Sequence, residues 1–500
     1  MPKRPNFLDR AIGLVSPSAQ LQRVRARMAT DMLLRHYEAA SPGRRTEHWQ
    51  RSAGDANSVN SRQYSLHRLR EFGRDLTRNN PLMRQAVRTI ANHTVGWGIV
   101  AKPNPTNDAV KARWKTWAET TACDADGRHD LYGLQKLIMR GVAESGEMLV
   151  RRRWRQLSDG LPLPLQLQVI EPDYLDTFKT VMLPTGGVII QGVEFDPIGN
   201  RVAYWLYPQH PGAAMMQNTG AIFQGSRRTP ASEILHIYDC ERAGQVRAVS
   251  WFASVLLSAK DLDEYQDAQL MKQKIAACLA VITSDVDGTG APLGTADDTK
   301  DTPTDTLSPG AIINVSPGRS VNVVDPPKVG EYEGYVRTVD RKHAKGLGLT
   351  YEDFVGDYSN VNFSSARMAR LEHWDNVYDW RWRLLIPQFC DPAWGWAMQA
   401  LQIMGELGAT VPAAQWTAPP MAMIEPDKEG LAAQRNIRTG LTTTPEALRE
   451  RGIDPDDYLR EQREWNQKVD QAGIILDSDA RKVTQSGQLQ SSSLTPGAPA

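Results

Sequence analysis

The densest run of carboxylates in a helical stretch is Asp261, Asp263, Glu264 and Asp267. Clustered carboxylates can hold Mg²⁺. On a helical wheel, however, these four spread from about 20° to about 180° and do not converge on one point. Lys260, Lys272 and Lys274 are interleaved with them, so the pattern predicts a solvated helix face. Trp374, Trp380, Trp382, Trp394 and Trp396 fall within 23 residues. Such a density could stack nucleic-acid bases. Trp374 and Trp382 lie on an apolar helical stripe, though, which predicts packing in a core or between subunits. The nine histidines stand singly, and His236, inside Ile234-Leu235-His236-Ile237-Tyr238, reads as a hydrogen-bonded core residue. No GxxxxGK[ST], HExxH or GxSxG motif is present, so no catalytic residue, cofactor or metal ligand is assigned. Cys123, Cys240, Cys278 and Cys390 form no CxxC pair, a spacing that suits neither zinc nor a disulfide scaffold.

The elements that would carry these residues fit a soluble chain of several domains. Its 500 residues are 41% hydrophobic and 23% charged, with 58 Lys+Arg against 58 Asp+Glu. Zero net charge argues against a binder that holds nucleic acid through excess cations. The charge is unevenly placed: residues 1–90 carry 17 Lys/Arg against 7 Asp/Glu, and the remainder is acidic. An acidic inner wall would repel phosphates rather than trap them. The N-terminus lacks a signal-peptide pattern, and the longest apolar run, Ile275–Ile282, is far short of a membrane span.

Apolar spacing predicts a helix over Ser18–Arg35 and another around Leu66–Leu76 that stops at Asn79-Asn80-Pro81. A glycine-punctuated strand is expected at Thr94–Ile99. Helices follow at about 107–121 and 130–144, then strands near 147–154, 165–170, 188–195 and 201–207, the last two joined by the turn Asp196–Asn200. Residues 37–245 therefore read as a mixed α+β domain. Trp251–Thr283 contains no Gly or Pro over 33 residues and is expected to be one helix roughly 50 Å long. An acidic loop, 284–309, precedes strands at Ala311–Val315 and Val321–Val324. Helices then run from Tyr332 to about Leu347 and from Ser364 to Leu385, the latter capped by Ser364 or Ser365. Two helical segments are expected in 425–465 and a polar tail in 484–500.

One set of residues, in order, resembles the lambda-type family of tailed-phage portal proteins. It begins at Tyr37-Glu38-Ala39-Ala40 and continues through Leu69-Arg70, Arg74–Pro81, Val95-Gly96-Trp97-Gly98-Ile99, Gly146-Glu147 and Ile170-Glu171-Pro172-Asp173. Gly192–Asp196, Gly199-Asn200-Arg201, His236, Glu241-Arg242, Gly244-Gln245, Arg247 and Asp261–Tyr265 follow. The most specific piece is Gly346–Glu352 leading to Asp357–Arg367; Pro426–Glu429 and Gly440–Thr443 come last. Ala243 and Ala248 stand where the family pattern carries Pro and Gly.

The resemblance implies an α+β portal-type fold with no enzymatic activity. It implies a basic, helical N-terminal arm (1–36), a wing (37–250 and 363–424), a first stem helix (251–283) and an inserted clip (284–328). A second stem helix (329–350), a tunnel loop (351–362), a helical crown (425–470) and a flexible tail (471–500) complete the layout. Twelve copies would form a homo-oligomeric ring at one capsid vertex of the virion, assembled in the host cytoplasm. Double-stranded DNA would pass non-specifically through it during packaging and ejection, and no membrane is involved. Expected partners are the large terminase subunit, the major capsid and scaffold proteins, and head-completion or tail-connector proteins. Asp357, Tyr358, Ser359, Asn360 and Asn362 would line the channel, Asp261, Asp263, Glu264 and Asp267 would form an acidic stem face, and Asp297, Asp298, Asp301 and Arg319 would dock partners at the clip. The alternatives are another minor head protein or a metal-dependent DNA-processing enzyme.

Overall fold

The computed structural model describes residues 55–61, 65–105, 107–213, 225–277, 281–285, 319–323, 332–359, 361–423, 425–476, 479 and 481–483. The expected Ser18–Arg35 helix, the Ala311–Val315 strand and the 484–500 tail lie outside them. Every described element belongs to the unit Ala56–Ala500. Helices α1 (Ala56–Ser61), α2 (Ser65–Asn79) and α3 (Pro81–Val95) come first. Asn80 ends one helix and starts the next: its side chain accepts from the backbone N–H of Leu82 and Met83, and Pro81 occupies the first turn, where a missing N–H costs nothing.

The expected strand at Thr94–Ile99 is a helix end and a loop. Helix α3 runs to Val95, and Gly98 then takes φ +132°, where a Cβ would lie 2.4 Å from the Tyr132 ring. The positive φ values of Gly96 and Gly98 exclude a regular strand, and Trp97 between them is 96% exposed. The strand, β1, is Val100–Asn104 instead, and it pairs antiparallel with β12 (Ala413–Thr417), more than 300 residues downstream. Helices α4 (Asp108–Ala118) and α5 (Leu131–Ser145) follow as expected, and α5 packs against α3.

Two sheets come next. A three-stranded antiparallel sheet has the order β3-β2-β9, from β2 (Glu147–Trp154), β3 (Leu165–Ile170) and β9 (Ile234–Tyr238). A five-stranded sheet runs in sequence order through β4 (Val181–Met182), β5 (Val188–Ile190), β6 (Val193–Phe195), β7 (Arg201–Leu206) and β8 (Arg227–Pro230). The expected strand 188–195 is thus two strands, turned back at Gln191-Gly192, whose φ values are both positive, as a tight hairpin requires. The Asp196–Asn200 turn is present, with Asp196 Oδ1 accepting from the N–H of Ile198 and Asn200.

Helix α6 is Leu256–Ala277, preceded by a 3₁₀ turn at Trp251–Ser254. The single helix expected to Thr283 is contradicted at its end, where Val281–Asp285 forms β10 and pairs antiparallel with β11 (Arg319–Val323). The β-branched run Val281-Ile282-Thr283 favours the pleated conformation, and a partner strand supplies the ladder. Helices α7 (Tyr332–Gly346), α8 (Tyr351–Val355) and α9 (Phe363–Asp379) follow. The α9 cap is Asn362, whose Oδ1 accepts from Ser365 N–H at 2.8 Å, so neither Ser364 nor Ser365 has that role. Beyond Asp379 the helix continues as a π-helix over Trp380–Cys390 and then as α10 (Asp391–Ile403). Pro387 lies inside the π segment, where wider turns relieve its clash with the preceding turn. Among the described residues, 425–476 hold three helices where two were expected: α11 (Pro426–Thr439), α12 (Thr444–Glu450) and α13 (Pro455–Gln471).

One apolar core joins α3, α5, the π segment and α10. Four of the five clustered tryptophans are buried in it: Trp374, Trp380, Trp394 and Trp396. The molecule is thus a mixed α+β fold. Among the described residues no helix is long and apolar enough to cross a membrane.

Candidate functional site

A dense cluster of charge is buried. Glu147, at the start of β2, is fully enclosed, as is Arg247. Arg247 Nε lies 2.8 Å from Glu147 Oε1 and 3.0 Å from Oε2, and its Nη2 lies 2.6 Å from Oε1. Arg70 Nη2, from α2, donates to the same carboxylate at 2.9 Å, and His236 Nε2, from β9, lies 2.8 Å from Oε2. Arg70 also reaches Asp173 (3.1 Å), which Arg74 engages at 2.6 Å. Gly146 makes the approach possible. It ends α5 at φ +88°, and a Cβ there would lie 2.3 Å from the Val249 carbonyl carbon.

Burial pushes the Glu147 carboxyl up, but Arg247 and the His236 hydrogen bond outweigh it and hold the group far below the usual carboxylate range. Asp173 is likewise raised by burial and brought down to about 2 by Arg70 and Arg74. Burial lowers His236, so its ring is neutral. The expectation of a bonded core histidine holds at Nε2, while Nδ1 has no hydrogen-bond partner. The sequence reading missed this cluster as a unit. Its signal was the set of charged residues set beside Gly146, in the β9 apolar run and on one face of α2.

The loop residues lie between α8 and α9. Asp357 Oδ1 accepts from Ser359 N–H at 3.0 Å and from its hydroxyl at 2.5 Å, forming a local turn. The Ser359 hydrogen bonds, with Arg337 3.6 Å away, lower the Asp357 carboxyl below its usual value. Tyr358 and Asn362 are exposed, and Asn360 lies outside the described residues. On α6, Asp261, Asp263, Glu264 and Asp267 are all exposed. Asn80 donates to Asp263 at 3.2 Å and Lys260 faces Glu264 at 3.6 Å, so the four carboxylates are not gathered at one point. Arg319 opens β11, in register with Asp285. Asp297, Asp298 and Asp301 lie outside the described residues.

An apolar row remains on α9 and the π segment. Met368 is 70% exposed and Trp382 50%, with Leu371 and Tyr378 similarly open between them. These are residues of the stripe that the sequence places in a core or a subunit contact. In the single chain only its members Trp374 and Leu385 are covered.

Residues 42–381 match the family described as phage portal protein, lambda family. A probable portal protein of Halomonas phage phiHAP-1 is 23% identical over 474 residues, covering 88% of each chain. The portal protein of Escherichia phage N15 is 24% identical over 455 residues, covering 80% of this chain and 84% of its own. Among solved structures, a chain from the virion of a native gene transfer agent particle aligns with TM-score 0.46 at 15% identity, over 78% of this chain and 94% of that one.

Proposed function

This chain belongs to the lambda family of phage portal proteins, structural proteins rather than enzymes, and from that premise we propose that twelve copies close into a ring at one capsid vertex and conduct double-stranded DNA. The family match over 42–381 carries the reading. The exposed row Met368, Leu371, Tyr378 and Trp382 supports it, because an apolar face of that kind is what a heterologous contact between neighbours would bury.

In this reading residues 37–250 and 363–424 are the wing and α6 and α7 lie within the stem segments 251–283 and 329–350. The β10–β11 ladder belongs to the clip, which moves the first stem's end back from Thr283 to before Val281. Residues 351–362 line the channel, and 425–470 form the crown. Asp357, Tyr358, Ser359, Asn360 and Asn362 are short and polar with no Lys or Arg among them, the chemistry of a surface that DNA slides past. Asp261, Asp263, Glu264 and Asp267 repel phosphates from the stem. The clip, with Asp297, Asp298, Asp301 and Arg319, docks the terminase and later the head-completion or tail proteins. Capsid and scaffold proteins contact the ring from outside, in the virion and during assembly in the host cytoplasm.

The test is native mass together with negative-stain images of the same sample. Twelve chains of 55.7 kDa make a ring of roughly 670 kDa with a central hole. A monomer that capsid and scaffold proteins also fail to recruit into a ring refutes the proposal.

A further inference from the structure

We propose that His93, Asp353 and His373 form a binding site for a divalent transition metal ion of the zinc class, where the end of α3 meets α8 and α9. One ligand atom from each residue lies within 4.8 Å of the others. The three residues come from different elements, so an ion there would tie the foot of segment 351–362 to the helical core.

The hydrogen bonds prepare this site. His373 is buried, and its Nδ1 lies 3.0 Å from the Gly348 carbonyl oxygen. A carbonyl only accepts, so Nδ1 carries the proton and Nε2 keeps its lone pair. An outer hydrogen bond of this kind orients most metal-bound imidazoles. The lone pair faces His93 Nδ1 at 2.7 Å, so without metal His93 Nδ1–H donates into it. Ion binding transfers that proton to His93 Nε2, leaving two neutral imidazole lone pairs and one carboxylate around a 2+ ion. Tetrahedral zinc with bonds of about 2.0–2.1 Å needs the two nitrogens roughly 3.3 Å apart, so the rings must separate by about 0.6 Å. The Asp353 carboxylate is oriented by Thr350 Oγ1 at 2.9 Å.

Two imidazoles with one carboxylate suit Zn²⁺, Co²⁺ or Ni²⁺ better than Mg²⁺ or Ca²⁺, which prefer oxygen. Among the described residues, Glu171, Asp173 and His210 also converge. There, Arg74 Nη2 already sits 3.2 Å from Glu171 and 2.6 Å from Asp173, so a cation occupies the position.

The test uses the full chain, stripped with chelator and titrated with ZnCl₂ or CoCl₂, and it does not depend on ring formation. Expected results are one ion per chain, the visible absorption of tetrahedral Co²⁺, and quenching of tryptophan fluorescence by Co²⁺, since His93 stacks 6.3 Å from Trp374. His93→Gln and His373→Gln should each weaken binding by at least the roughly 100-fold that marks the upper end for outer-shell partners. Asp353→Asn, at a half-buried position, should keep the fold by circular dichroism and also weaken binding, whereas His210→Gln should leave it unchanged. No uptake at ion concentrations up to about 100 µM, or uptake that survives Asp353→Asn and either histidine variant, overturns the site.

Discussion

Replacing Glu147 by Gln keeps the side chain's shape and removes the charge that balances the Arg247 and Arg70 guanidiniums. Neither arginine can turn to water, because both side chains are at most 2% exposed. Asp173 still balances Arg70, but Arg247 then has only neutral acceptors, the Gln191 and Pro172 carbonyls and the Thr177 hydroxyl. Breaking a buried pair on one side costs about 3–5 kcal/mol. The urea slope grows with chain size beyond the roughly 1–3 kcal/mol/M of small proteins, so the unfolding midpoint should fall by on the order of 0.5–1 M. The 14 tryptophans give the fluorescence signal. Arg247→Met should cost a similar amount by leaving Glu147 with one guanidinium. The double variant should cost less than the sum of the two by about 1–3 kcal/mol, since it removes the orphaned charge as well as the pair. An additive double variant, within about 0.5 kcal/mol, refutes the claim that these charges depend on one another.

Asp340 lies buried with its Oδ1 3.9 Å from His343 Nδ1 and without a hydrogen-bond partner, and burial raises it from 3.8 to about 6. A raised folded pKa means that stability falls as pH rises from about 4 to 6, by up to about 3 kcal/mol. Asp340→Asn should therefore raise the melting temperature at pH 8 and leave it unchanged at pH 4; an equal or lower value at pH 8 contradicts this. Asp173 has the opposite sign. Its folded value of about 2 lies below 3.8, so its stabilisation of about 2 kcal/mol is complete above pH 4 and lost as pH falls towards 2. Asp173→Asn should flatten the acid limb of the unfolding curve, and an unchanged limb would contradict the assignment. Deleting Asp357–Asn360 should leave native mass and ring images unchanged while reducing DNA packaging or retention, and loss of the ring itself would count against a loop lining the channel.

Local elements were legible in the sequence wherever the apolar period and its stop signals sat close together. Asn80-Pro81 set the boundary of α2 and α3, and Asp196–Asn200 set a hairpin turn. Errors arose where the deciding contact was distant. The loop at Gly96–Gly98 depends on the Tyr132 ring, and β1 has its partner at Ala413–Thr417, neither of which a local pattern reveals. The end of the long helix was misread because a stretch without Gly or Pro permits a helix but does not require one. There, Val281-Ile282-Thr283 has its strand partner at Val321–Val323, 38 to 42 residues on. The cap was expected at Ser364 or Ser365, and only hydrogen-bond geometry assigns it to Asn362.

The motif series that marks the family includes loop and stem residues proposed to perform its work, Asp357–Asn362 and Asp261–Glu264, and also a set buried within the chain. Arg70, Arg74, Glu147, Asp173, His236 and Arg247 come from four separate stretches of the motif series, and the fold brings them to one cluster. A buried charge allows little substitution, because removing any member strands its partners. The proposed working surfaces follow the opposite logic. A loop that DNA slides past needs only to be short, polar and free of cation, and an apolar row such as Met368 to Trp382 becomes a contact only when a second copy covers it. Function at these proposed surfaces is thus a property of the assembled ring, and substitutions in the buried cluster should act on the stability of each chain before they act on DNA.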